Sequence, residues 1–119
     1  MNTPHAPAPP TRRELARQAR DAFPPMGVYA IVETASGRAR VKATRNLQAA
    51  MDRTRFELRL GSHPDKALQR LWNEGGEGAI RFQVLDRVKQ RDDPAFDYAA
   101  ELRALEQLHR EELEAGSRP

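Results

Sequence analysis

A chain of 119 residues, 39% hydrophobic and 31% charged, has material for one domain with a modest core under a heavily charged surface, and too little for two. It has no cysteine, which excludes disulfides, thiolate zinc sites and thiol nucleophiles and fits a bacterial-type cytoplasmic protein. It also lacks the run of about 18 apolar residues needed to cross a membrane, and the basic-then-apolar start of a secretory signal. The formal net charge of +3 is unevenly spread. Seven basic residues (Arg38, Arg40, Lys42, Arg45, Arg53, Arg55 and Arg59) meet only Asp52 and Glu57 in their stretch, whereas Asp97 to Glu114 holds six acids against Arg103 and Arg110. A basic centre beside an acidic end suits a polyanion-binding face; the alternative is that arginines merely coat a solvated helix.

In chain order, residues 1–11 are rich in proline and show no core-forming pattern, so they read as a disordered tail. Thr11 and Glu14 have capping-box spacing, which predicts a short basic helix (Arg12, Arg13, Arg17, Arg20) to about Phe23, stopped by Pro24-Pro25. Residues 12–25 are thus a helix and proline linker ahead of a domain over 26–114, with 115–119 as a tail. Gly27-Val28-Tyr29-Ala30-Ile31-Val32 is β-branched and aromatic and predicts a strand. Ala35-Ser36-Gly37 is turn chemistry, and Arg38 to Thr44 returns as a hairpin partner. Asn46 caps a helix striped by Leu47, Met51, Thr54 and Leu58, and Gly61-Ser62 ends it. Pro64 suits the first turn of another helix, with Ala67, Leu68, Leu71 and Trp72 as its apolar positions and Gly75-Gly76 as its stop. Ala79 to Leu85 alternates as a third strand with one buried face. Asp92-Asp93-Pro94 opens a last helix reaching about Glu114. The order predicts an α+β fold, a small three-stranded antiparallel sheet flanked by helices.

The last helix holds the most informative residue. At about 100° per residue, Leu102, Leu105, His109 and Leu113 form its apolar stripe, and Glu106 falls inside it. A carboxylate facing a core or cleft wall is costly unless a cation, a metal or hydrogen-bond donors compensate. It is therefore either a functional group or one half of a buried ion pair with an arginine. Glu106 and His109 could also face one ion at i, i+3 spacing, although a packed or solvent-facing histidine accounts for His109 equally. His63, beside Pro64, reads as a histidine in an exposed turn.

Several segments, taken in order, resemble the GIY-YIG nuclease family. Gly27-Val28-Tyr29 is similar to its GIY element, and Gly37 to Leu47 occupies the place of its GKxYIGxTxNL segment. Gly61-Ser62-His63, Leu68-Gln69 and Trp72-Asn73-Glu74-Gly75-Gly76 resemble its GSH, LQ and WNxxG elements. Leu105-Glu106-Gln107-Leu108 resembles the final helix with its metal glutamate. The resemblance covers about Gly27 to Leu113, and it is similar to a single-domain bacterial branch with a degenerate active site. It implies a DNA endonuclease that hydrolyses phosphodiester bonds with one divalent ion, Mg²⁺ or Mn²⁺. Tyr29 would help activate the nucleophile, Glu106 would hold the ion, and His63 would lie near the substrate phosphate.

The departures are specific. The tyrosine and glycine of YIG are Arg40 and Lys42, the expected helix arginine is Ala50, and the basic position at eight residues is Thr54. Arg53, one turn from Ala50, is the candidate substitute. The late asparagine has no evident counterpart. General acid–base and charge-stabilising groups are each worth roughly 10²- to 10³-fold, so these losses weaken turnover. Arg38, Arg40, Lys42, Arg45 and Arg55 supply phosphate-binding charge. Three readings stand: a slow metal-dependent endonuclease, a non-catalytic nucleic-acid-binding module of the same fold, and a structural or partner-binding protein.

Overall fold

The strand Met26–Glu33 (β1) organises the molecule, because every residue from Met26 to Val32 is buried. That two-sided apolar run marks a central strand with both faces covered. It pairs antiparallel with Ala39–Thr44 (β2) and with Ile80–Val88 (β3), giving the order β2-β1-β3. Helices Arg12–Ala22 (α1), Leu47–Leu60 (α2), Lys66–Gly75 (α3) and Tyr98–Gly116 (α4) complete an α+β fold, as the sequence predicts. This computed structural model describes residues 8–116, and only the backbone of Ala16, Ala19, Arg20, Asp21 and Ala22. The tail reading for residues 1–11 and 115–119 falls mostly outside the described residues.

The two faces of β1 build two cores. Tyr29 and Ile31 pack with Leu47 and Leu58 of α2, Leu68 of α3 and Ile80 of β3. Met26 packs with Val88 and with Leu102 of α4, joined by Phe23, Ala43, Tyr98 and Leu105. Each such aliphatic side chain, once removed from water, contributes about 1.5–3 kcal/mol. Helices α2 and α3 thus hold one face and α4 the other.

Local chemistry sets the element ends. The Thr11 hydroxyl accepts from Glu14 N–H (3.1 Å) while the Glu14 carboxylate accepts from Thr11 N–H (3.3 Å), a closed capping box. Asn46 caps α2 by accepting from Ala49 N–H at 3.1 Å, and Gly61 ends it in the left-handed region at φ 76°. Gly37, also at φ 76°, closes the β1–β2 turn.

Three expectations need correction. Helix α3 starts at Lys66 with Asp65 as its cap, so Pro64 lies outside it. Helix α4 starts at Tyr98 with Asp97 bonding Ala100 N–H, because Asp93 instead caps a turn over Ala95 and Phe96. Strand β3 does not alternate cleanly. Val28 pairs with Asp86 but Tyr29 with Val84, so Leu85 is an extra residue, and beyond this bulge Val84 is 37% exposed.

Candidate functional site

A cleft of about 720 Å³ opens at the β2 margin of the sheet, between the first turns of α2 and the middle of α4. Strand β1 contributes Tyr29, β2 contributes Lys42 to Thr44, the following turn Arg45 and Asn46, and α2 contributes Ala50, Arg53, Thr54 and Glu57. His63 and Pro64 come from the α2–α3 loop, and Glu106 and Arg110 from α4. Tyr29, Arg53, His63 and Glu106 therefore line one concavity.

Tyr29 reaches the cleft from the face of β1 that α2 covers, and across the ladder it stands opposite Lys42. Its residue is only 4% exposed. Burial raises the phenol above its ordinary value of 10.0, with the adjacent Thr54 hydroxyl opposing part of the shift. At neutral pH the group is a proton-bearing hydrogen-bond donor.

His63 is 6% exposed, against the exposed turn expected from sequence. The physical reason is a network no single motif announces. His63 N–H donates to Gln69 Oε1 (3.1 Å), and the Gln69 amide donates to Leu58 O (2.9 Å) and Asn73 Oδ1 (2.9 Å). Asp65 N–H donates to His63 Nδ1 (3.1 Å), so in the neutral ring the proton sits on Nε2, a donor with no partner among the described residues, and the ring lines the cleft. Asp65 is also fixed, accepting from Leu68 N–H (3.1 Å) and from Arg40 Nε (2.5 Å). Arg40 bonds Glu33 Oε2 through Nη1 at 2.7 Å. Burial pushes the Asp65 carboxyl up, but the Leu68 N–H and Arg40 outweigh it and hold it low. The Arg40 hydrogen bond holds Glu33 low, against a smaller opposing effect of burial.

Both carboxylates of the cleft are paired with arginines on their own helices at i, i+4 spacing. Arg53 Nε meets Glu57 Oε1 at 2.9 Å, and Arg110 Nη2 meets Glu106 Oε1 at 2.5 Å. Glu106 Oε2 accepts from Ala43 N–H (3.2 Å), and Arg110 donates to Val41 O (3.1 Å). Those two backbone groups face away from β1, so the Glu106–Arg110 pair caps the open edge of β2. Lys42 and Arg45 have no carboxylate partner among the described residues.

The other expected basic residues lie elsewhere. Arg38 and Arg40 line a second hollow of about 560 Å³, which shares Lys42 and Arg110 with the cleft. The Arg40 guanidinium is committed to Glu33 and Asp65. Arg55 lies over the Phe82 ring, 4.5 Å from its centroid, and near Asp52 at 3.6 Å, outside the cleft. His109 bonds Asp86 of β3 (3.2 Å) and does not converge on an ion with Glu106. Sequence reasoning missed Glu57 and Arg110 as lining residues, and missed Asp65 and Gln69 as supports of His63. The i, i+4 spacing of Arg53–Glu57 and Glu106–Arg110 was the available signal.

No protein-family model matches the sequence, and no curated protein does. Solved structures do match. The catalytic domain of homing endonuclease I-TevI aligns with a TM-score of 0.60 at 21% identity, over 75% of this chain and 88% of that one. The catalytic domain of intron endonuclease I-TevI in a glutamate-to-alanine variant aligns at 0.61 and 19%, over 76% and 84%. The fold is that of the GIY-YIG nucleases.

Arg40, which by resemblance takes the place of the motif's second tyrosine, is turned into the Glu33–Asp65 clasp, and Lys42, by resemblance in the place of its glycine, stands opposite Tyr29. The resemblance implies one divalent ion on Glu106. The residues as arranged do not fit one. Both Glu106 oxygens are engaged, Glu57 is paired, and the described residues contain no group of three or more His, Asp or Glu able to hold a metal.

Proposed function

We propose that this chain binds the phosphodiester backbone of nucleic acid, DNA in the first instance, along the cleft beside β2. One observation carries the reading: the cleft's carboxylates are neutralised by arginines on their own helices, while Lys42, Arg45 and His63 Nε2–H have no partner among the described residues. Lys42 and Arg45 supply charge to phosphate oxygens, and Tyr29 and His63 supply hydrogen bonds of fixed direction. Arg53 is 82% exposed at its side chain and meets Glu57 through Nε, so its Nη groups can donate to a phosphate while the pair stays formed. No helix among the described residues is long and apolar enough to cross a membrane, and a cysteine-free chain suits the cytoplasm.

The test is binding to short duplex DNA across a salt series. Affinity should fall steeply with salt, and Lys42→Ala with Arg45→Ala should weaken binding and lower the log–log slope by about 1 per lost contact. A flat profile, or a double variant with the wild-type slope, would reject the cleft as the phosphate site.

A second reading, a slow Mg²⁺- or Mn²⁺-dependent endonuclease, is supported by Tyr29, His63, Arg53 and Glu106 lining one cleft, and it requires Arg110 to leave Glu106 before an ion can bind there. Plasmid nicking with either ion decides it. Cleavage lost in Glu106→Ala supports the enzyme; equal residual cleavage in both proteins removes Glu106 from the chemistry.

A further inference from the structure

The Glu106–Arg110 pair has features that an ordinary surface ion pair lacks. It is tied at both ends: Glu106 to Ala43 N–H and Arg110 to Val41 O, on the same edge strand. The guanidinium is therefore anchored by backbone as well as by charge. Glu106 is 25% exposed at its side chain, and Arg110 50%, so an ion from solvent has access to the carboxylate. What denies it the oxygen is the guanidinium, with Nη2 only 2.5 Å from Oε1. Exposed pairs are usually worth little, but two backbone anchors hold both long side chains in place and remove much of the entropy cost of pairing.

We propose that Arg110 is the cleft's resident cation, occupying Glu106 and excluding divalent ions from it. The positive charge that a soluble ion would bring is carried instead by a side chain of the protein. Arg110 borders both the cleft and the neighbouring hollow, so this charge faces the whole basic strip beside β2. The inference rests on the cleft reading for what the cation serves, but ion exclusion is measurable with no nucleic acid present. The two can therefore fail separately.

The experiment is Mn²⁺ binding to the full chain, followed by electron paramagnetic resonance of the free ion. Wild type should bind weakly. Arg110→Gln keeps a polar side chain and removes the charge, and it should bind roughly ten- to a hundredfold more tightly, the value of a charged hydrogen-bond partner lost. Adding Glu106→Gln to it should return binding to the wild-type level. Arg110→Lys, which keeps the charge, should stay close to wild type. Equal Mn²⁺ affinity in wild type and Arg110→Gln, or an Arg110→Lys protein that binds as tightly as Arg110→Gln, overturns the proposal. Arg110→Met is a second uncharged variant at this half-exposed helical site, and thermal unfolding of each protein confirms that the comparison is between folded chains. DNA binding that survives a negative Mn²⁺ result removes the resident cation and leaves the cleft reading intact.

Discussion

Arg40 shows how one substitution changes the work of a position. By resemblance it stands where a phenol is expected, and its guanidinium instead joins Glu33 at the end of β1 to Asp65, the cap of α3. Asp65 in turn bonds the His63 ring, so Arg40 supports the imidazole through one intermediate residue. Both carboxyls are held below their ordinary values of 4.5 and 3.8. A depressed carboxyl adds stability that is fully present above its unfolded pKa and is lost as pH falls through its folded pKa. Arg40→Met should therefore lower stability at pH 7 by about 1–2 kcal/mol, the low end for charged hydrogen bonds because Asp65 is a third exposed. The gap should shrink as pH falls from the ordinary carboxyl values through the lower ones of the folded wild type, because the variant, without the guanidinium, takes up its protons first. Thermal unfolding of both proteins at pH 7 and pH 3 checks this; an equal gap at the two values would separate Arg40 from its carboxylates.

At the scale of elements, Gly27 sets the β1–β3 contact. A Cβ there would lie 2.0 Å from Asp86 O and 3.0 Å from Asp86 C, both backbone atoms that no rotamer change can move. The glycine of the GVY run is thus required by close approach of two strands, just before the bulge that offsets Tyr29 from Val28 in its pairing with β3. Gly27→Ala should cost about 1–3 kcal/mol through strand displacement. Gly78→Ala, with open space at its Cβ, should stay within about 0.5 kcal/mol. Denaturant titration of both variants provides the comparison, and equal losses would show that β3 gives way freely.

For the whole molecule, the α+β layout, sheet size and most boundaries were legible because caps and left-handed glycines announce themselves locally: Thr11 with Glu14, Asn46, Gly37 and Gly61. What escaped depends on pairings across the fold. The bulge at Leu85 shifted the pairing over Asp86 to Val88 and carried Val88 into the core under α4, a turn built on Asp93 delayed α4, and Gln69 drew His63 inward; none has a local pattern. Glu106 was legible as an anomaly on an apolar stripe, and ion pairing with an arginine was one of its two explanations. That the arginine is Arg110, four residues on, could have been read from spacing; that the pair also reaches β2 could not.

The same pair has a consequence for solubility. An uncovered strand margin is a template for another chain's backbone, and proteins guard such margins with charge. By satisfying Ala43 N–H and Val41 O from the side, Glu106 and Arg110 deny that template to a neighbouring molecule. A lineage that freed Glu106 for other chemistry by discarding Arg110 would reopen the margin of β2, so self-association at high concentration is the outcome that accompanies any gain at that carboxylate.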